Sequence, residues 1–166
     1  MSEQAPLSPV INIKPGNKQT WGNLPGSSGA LVLANAAKQH DSLTLVITTD
    51  TESARRLENE LRFYSGPTLP ILHLPDWETL PYDNFSPHQD IISERLQTLY
   101  QLPQTKQGIL VVPVSTLMHR LPPAAFIHAN SLMLKPGQTF VIDEMRRQFE
   151  NAGYHCVDTV YEHGEF

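Results

Sequence analysis

The chain has 166 residues, 40% hydrophobic and 17% charged, which suits one soluble globular domain or one domain with part of another. Seventeen acids against twelve bases leave a net charge of −5, a poor balance for a stand-alone nucleic-acid binder, because affinity for the phosphate backbone comes from Lys and Arg displacing counterions. A single cysteine, Cys156, excludes an intrachain disulfide and speaks against a cysteine metal site; the N-terminus has no apolar signal-peptide core and no stretch approaches the roughly 20 apolar residues of a membrane span, so the sequence reads as cytoplasmic.

Residues 1–26 are rich in Pro, Gly, Asn and Ser and read as an irregular arm, with Trp21 as a point of attachment to the body. "SSGALVLANAAKQH" follows as a helix: Ser27 or Ser28 is placed to cap it, and Leu31, Ala34 and Ala37 or Lys38 share a face. "LTLVITT" (Leu43–Thr49) is a continuous β-branched run, the pattern of a strand covered on both faces. In "DTESARRLENELRFYS", Asp50 is the cap and Ala54, Leu57, Leu61 and Tyr64 form an inward stripe, ended by Gly66–Pro67. "PILHLP" (Pro70–Pro75) is a short strand.

After the loop that begins at Asp76, Ser86 is expected as an N-cap, with Pro87 at the first helical position and Gln89 completing a capping box. That helix would turn Ile92, Leu96, Leu99 and Ile91 inward as far as Pro103. "GILVVP" (Gly108–Pro113) is a buried strand and "VSTLMHRL" a short helix, with Ser115 and Thr116 as its cap. The alternation of helix and strand argues for a parallel sheet with helices on both sides.

After about Asn130 the character changes. "SLMLKPGQ" reads as strand and turn, and "FVIDEMRRQFENAG" as a helix with Ile142, Met145 and Phe149 inward and Gly153 as its stop. Arg146 and Arg147 fall on its outer face, and Cys156 is expected partly buried in a last strand, "YHCVDTVYEHGEF", which reaches the final residue without a closing signal. The expected organisation is therefore an arm over 1–26, an α/β unit over 27–129 and the start of a second, incomplete unit over 130–166.

Two stretches could carry chemistry. "NLPGSSGAL" stands where a phosphate loop, G-x-x-x-x-G-K-[ST], would lie. With Gly29 in the second glycine position, the first falls on Leu24, the lysine on Ala30 and the hydroxyl on Leu31. The cation that meets the outer phosphates and the hydroxyl that holds magnesium are both missing, which leaves a glycine-rich helix entry around Gly26, Gly29, Ala30 and Leu31. "LPDWETLPYDNFSPHQD" gathers Asp76, Glu78, Asp83, Asp90 and His88 around Trp77, Leu80, Tyr82 and Phe85. His73, His88 and an acid could be drawn as a metal-dependent hydrolase site, although no H-x-x-x-H or H-x-x-E-H spacing is present. The plainer alternative is a loop pinned by its aromatic and aliphatic side chains, with its acids in water.

At "LPDWETLPYDNFSPHQDIISERLQTLYQLP" the sequence closely resembles the bacterial transcription-repair coupling factors, and "GILVVPVSTLMHRL", "KPGQ" and "AGYHCVDTVYEHGEF" continue the resemblance in the same order, over roughly Ser27–Phe166. The resemblance places the chain at the N-terminus of a longer protein, in a module similar to the excision-repair helicase subunit UvrB. It implies an α/β RecA-like (P-loop-like) parallel sheet flanked by helices, with a degenerate phosphate loop, followed by the start of a small α+β sub-domain. Ala30 and Leu31 fit the loss of nucleotide-binding residues characteristic of the coupling factors. UvrB's tyrosine-rich DNA-gripping hairpin has no counterpart here beyond Tyr82 and Phe85. The family-signature loop corresponds to Asp76, Trp77, Glu78, Tyr82, Asp83, Phe85 and His88.

The tail resembles the opening of the sub-domain that binds the excision-repair ATPase UvrA, which makes His163, Glu165 and Phe166 the partner-binding candidates, with the principal contacts expected beyond Phe166. The resemblance thus implies a non-catalytic scaffold without cofactor, metal or membrane contact, whose partners are UvrA and the rest of the same factor. ATP and magnesium, RNA polymerase and DNA would be engaged by domains elsewhere in the family's longer chain. A nucleotide-dependent helicase fragment of the UvrB type is the alternative from this kinship.

Overall fold

The computed structural model describes residues 7, 9, 11, 14–80, 83–129, 131, 136–162 and 164–166. Three parallel strands, β1 (Leu43–Thr48), β2 (Ile71–His73) and β3 (Gly108–Pro113), form a sheet in the order β1-β3-β2. β3 is the central strand, pairing Leu43–Thr48 with Gly108–Pro113 on one side and Ile71–His73 with Ile109–Val111 on the other. All six of its residues are buried, as the unbroken apolar run requires of a strand covered on both faces.

Helices α1 (Ser28–Lys38) and α2 (Thr51–Ser65) cover one face of the sheet. Their Ala30, Ala34, Ala37, Ala54 and Leu61 pack with Leu69, Ile71, Ile109 and Val111, and Val46, Leu57 and Tyr64 seal the margin. The small side chains of α1 let it lie close to both α2 and β3, which is why its buried stripe extends to Val32 and Ala36, beyond the Leu31–Ala34–Ala37 face; Leu31 itself is half-buried. Asp50 caps α2 as its sequence implies, accepting the Ser53 N–H at 2.7 Å. At the entry to α1, by contrast, the serines do not cap. The Ser27 hydroxyl pairs with the Tyr64 hydroxyl at 2.7 Å and that of Ser28 donates to the Pro25 carbonyl.

The opposite face is covered by α3 (Gln89–Gln101) and the turn after it, where Leu99 and Leu102 meet Leu72, Leu74, Leu110 and Val112. One expectation fails here and another holds in part. The helix starts at Gln89, because His88 is extended and its ring Nδ1 accepts the Asp90 N–H at 3.3 Å; Ser86, Pro87 and Gln89 therefore build no capping box. Leu99 faces the core and Ile91 and Ile92 are half-buried, as the spacing implies, but the fully buried residues are Arg95 and Thr98, and Leu96 is 45% exposed. Polar contacts set this rotation: the Thr98 hydroxyl donates to the His73 carbonyl at 2.6 Å, and the Arg95 guanidinium donates to the carbonyl of Pro75.

β1 is also only partly covered. Leu45 and Ile47 are 50% and 54% exposed, because β1 is an edge strand and α3 lies against β2. Gly108 sits where a Cβ would stand 2.7 Å from the Pro70 carbonyl oxygen, the same oxygen that accepts the Ile109 N–H; only glycine fits that approach.

α4 (Val114–Leu117) begins directly after β3, so Ser115 and Thr116 lie within it and not at its cap. α5 (Ala124–Ala129), which the sequence pattern did not announce, places Ile127 in the interior. The strand expected in "SLMLKPGQ" lies largely outside the described residues. α6 (Ile142–Asn151) is amphipathic, with Met145 and Phe149 partly buried, but Ile142 is exposed. Gly153, at φ 88, ends it.

The last segment is not an extended strand. Among the described residues its two ends meet in one isolated parallel bridge, His155 with Glu165, and Phe166 closes on Phe149 at 5.0 Å between rings. Cys156 is exposed rather than half-buried, and accepts from Arg146 Nη2 at 3.1 Å. No helix among the described residues is long and apolar enough to cross a membrane.

Candidate functional site

In a parallel sheet the carboxyl ends of the strands open onto loops, the usual seat of binding residues. Here the loop after β2 and the helix after β3 meet at that end. Asp76 joins them. Its Oδ2 accepts the Ser115 hydroxyl proton at 2.5 Å, its Oδ1 accepts the Trp77 N–H at 2.8 Å and stands 3.7 Å from His119 Nε2. Trp77 lies over the buried guanidinium of Arg95, 4.1 Å from its ring centroid. Burial pulls the Arg95 pKa below the usual guanidinium range, and the nearby Asp76 charge opposes that shift.

Glu78 occupies the left-handed region at φ 56, where side chains with a Cβ seldom sit, and is tied to Arg55 at 3.0 Å. Asp83 accepts the Leu80 N–H at 3.0 Å, Phe85 is 80% exposed and His88 caps α3; Tyr82 lies outside the described residues. The structure thus brings Asp76 and Trp77 together with Arg95, Ser115 and His119, and leaves Asp83, Phe85 and His88 at the surface. The Ser115 hydroxyl donates to the Asp76 carboxylate, and among the described residues no hydrogen bond joins it to an imidazole.

A second polar group lies deeper. His73 Nδ1 stands 3.2 Å from Glu58 Oε2 and 3.3 Å from Glu94 Oε1, joining β2 to α2 and α3. The hydrogen bond from His73, aided by Arg62, holds the Glu58 carboxyl below its ordinary range against the opposing effect of burial. Sequence reasoning had paired His73 with His88; the structure instead engages each locally, and no group of three His, Cys, Asp or Glu side chains that could hold a metal ion is found among the described residues.

At the start of α1, Gly26 adopts φ 59 and Ala30 is buried, while Ser27 and Ser28 spend their hydroxyls on Tyr64 and Pro25. The positions that a phosphate loop gives to lysine and to a magnesium-binding hydroxyl are held by Ala30 and Leu31. In the tail, the Glu165 carboxylate accepts the Tyr161 and Glu162 N–H groups at 2.8 and 3.2 Å, which holds its pKa down, and Phe166 packs in the aromatic group with Phe149; His163 lies outside the described residues.

Comparison with known proteins gives a consistent kinship. The chain is 46% identical over 157 residues to the transcription-repair-coupling factor of Escherichia coli (strain K12), a match that covers 95% of this chain and 14% of that protein. It is 46% identical over 160 residues to the Haemophilus influenzae factor of the same name, covering 96% of this chain, and 29% identical over 168 residues to that of Myxococcus xanthus, covering 97%. The chain spans about 14% of the length of these curated relatives. No family model matches it.

Proposed function

We infer, from a chain whose sequence places it with the transcription-repair-coupling factors as kin of about 14% of their length, that it serves transcription-coupled DNA repair as a non-catalytic scaffold. The single observation that carries the reading is the 46% identity along nearly the whole chain. The chemistry at α1 supports its non-catalytic part. Phosphoryl transfer depends on positioned cations at the outer phosphates, and Ala30 and Leu31 offer neither a charge nor a hydroxyl there.

In this reading the α/β unit is a RecA-like sheet that has lost its nucleotide site, and the tail from about residue 130 begins the surface that recruits the excision-repair ATPase UvrA to a stalled polymerase. Glu165 and Phe166 order the tail from within: one satisfies backbone N–H groups and the other anchors on Phe149. They would act on a partner by fixing the shape of this surface.

The test is co-elution of the purified chain with purified UvrA in the absence of nucleotide and DNA, alongside a Phe166→Ala variant. Because the principal contacts are expected beyond Phe166, recruitment predicts a weak complex that the variant weakens further. A chain that never associates with UvrA removes this segment from the recruiting surface.

A further inference from the structure

His73 is buried on β2, and one atom of its ring serves two helices. Nδ1 stands 3.2 Å from Glu58 Oε2 on α2 and 3.3 Å from Glu94 Oε1 on α3. The two carboxylates are not equally secured. Arg62 donates from Nε and Nη2 to the other oxygen of Glu58 at 2.9 and 2.7 Å. Glu94 is half exposed and has the imidazole as its one polar partner among the described residues. No further ion pair reaches the ring among those residues, and its backbone carbonyl accepts the neutral Thr98 hydroxyl.

A ring nitrogen carries at most one hydrogen, and one N–H aims well at one acceptor. Two carboxylates that converge on a neutral imidazole share a single hydrogen bond and repel each other; on an imidazolium both are attracted. Imidazole is the side chain that ordinarily exchanges these two states between pH 5 and 8. Charge on this ring is favoured by the two carboxylates and opposed by burial and by an Nε2 without a hydrogen-bond partner among the described residues. Opposed effects of this kind suit a switch better than a fixed ion pair. We propose that His73 is a proton-operated clasp: as imidazolium it holds Glu94, and with it α3, against α2, and as neutral imidazole it keeps Glu58 and lets Glu94 go to water. The closed clasp binds a proton that the open one gives up, so closure weakens as pH rises through the imidazole range. The next residue, Arg95, donates to the Pro75 carbonyl and carries Trp77, so release at Glu94 loosens the seat of the loop after β2. The clasp is separate from the start of α1 and from the tail, and stands or falls independently of the recruitment reading.

The experiment is amide hydrogen exchange of the whole chain at pH 6 and at pH 8, each rate divided by that of the unstructured peptide at the same pH, for the parent and for Glu94→Gln. The substitution is at a half-exposed position and leaves the core intact, whereas a change at buried His73 disturbs three elements at once. In the parent, protection of the α3 amides should fall about two- to fivefold between pH 6 and pH 8, the size expected of a partly exposed ion pair, while α2 holds its protection. In Glu94→Gln, α3 should already be less protected at pH 6 and show no such fall. His88, which caps α3 beside Asp90, and His128, which packs on Tyr100, are present in both proteins, so their effects cancel in the comparison. No fall in the parent, the same fall in both proteins, or equal protection of α3 in the two at pH 6 would overturn the proposal.

Discussion

Replacing one leucine at a time distinguishes the core the structure describes from the one that helical spacing suggests. Leu61 on α2 is fully buried among Ala34, Ala54, Ile71 and Ile109, so Leu61→Ala removes its transfer free energy and leaves a cavity that rigid neighbours cannot fill, a loss of roughly 2–5 kcal/mol. Leu96 on α3 keeps 45% of its surface in water. Full burial of a leucine is worth about 1.5–3 kcal/mol; half of that, less what alanine retains and with no enclosed cavity, leaves about 1 kcal/mol or less for Leu96→Ala. With a urea m-value of about 2 kcal/mol/M, the Leu61 variant should unfold at least roughly 1 M earlier than the parent and the Leu96 variant within about 0.5 M of it. The assay is urea denaturation followed by far-ultraviolet circular dichroism. Equal losses in the two variants, with unchanged m-values, would refute the rotation of α3 that places Arg95 and Thr98 inward.

Two further outcomes follow from particular contacts. Gly108→Ala should destabilise by about 1–3 kcal/mol, because the new Cβ meets the Pro70 carbonyl at 2.7 Å; thermal unfolding checks it, and an unshifted midpoint would contradict the close approach. Glu58 is more acidic in the fold than its ordinary value of 4.5, so its ionisation contributes stability that is fully present above that value and is lost as pH falls through the lower folded one. Denaturation midpoints between pH 7 and pH 3 should therefore decline, and Glu58→Gln should flatten part of that decline; identical profiles would remove the His73–Glu58 bond from the account.

The parts of the fold written in local pattern were legible in the sequence. β3 is a continuous apolar run and is central; α2 carries its cap, its stripe and its stop in consecutive residues. What escaped depends on partners distant in the chain. The face of α3 is chosen by Thr98 and Arg95 reaching carbonyls 25 and 20 residues away, a choice invisible to a count of leucines. β1 looks like a core strand by composition, yet its place at the sheet edge leaves Leu45 and Ile47 half exposed. At the candidate site the aromatic and acidic loop was recognisable, whereas the Asp76–Ser115 contact spans 39 residues and carries no sequence signal. The one available clue was that Ser115 follows a parallel strand, where ligands and loops converge. The meeting of His73 with Glu58 and Glu94 likewise depends on three elements packing together.

The scaffold reading meets its most direct test in equilibrium binding of ATP with magnesium to the purified chain, followed by a fluorescent ATP analogue and by phosphate release. The account predicts no saturable binding into the millimolar range and no turnover, because the Gly26–Leu31 turn has no cation to set against a triphosphate. Stoichiometric micromolar binding that is lost when Gly29 or Ala30 is replaced by a bulky residue would contradict it.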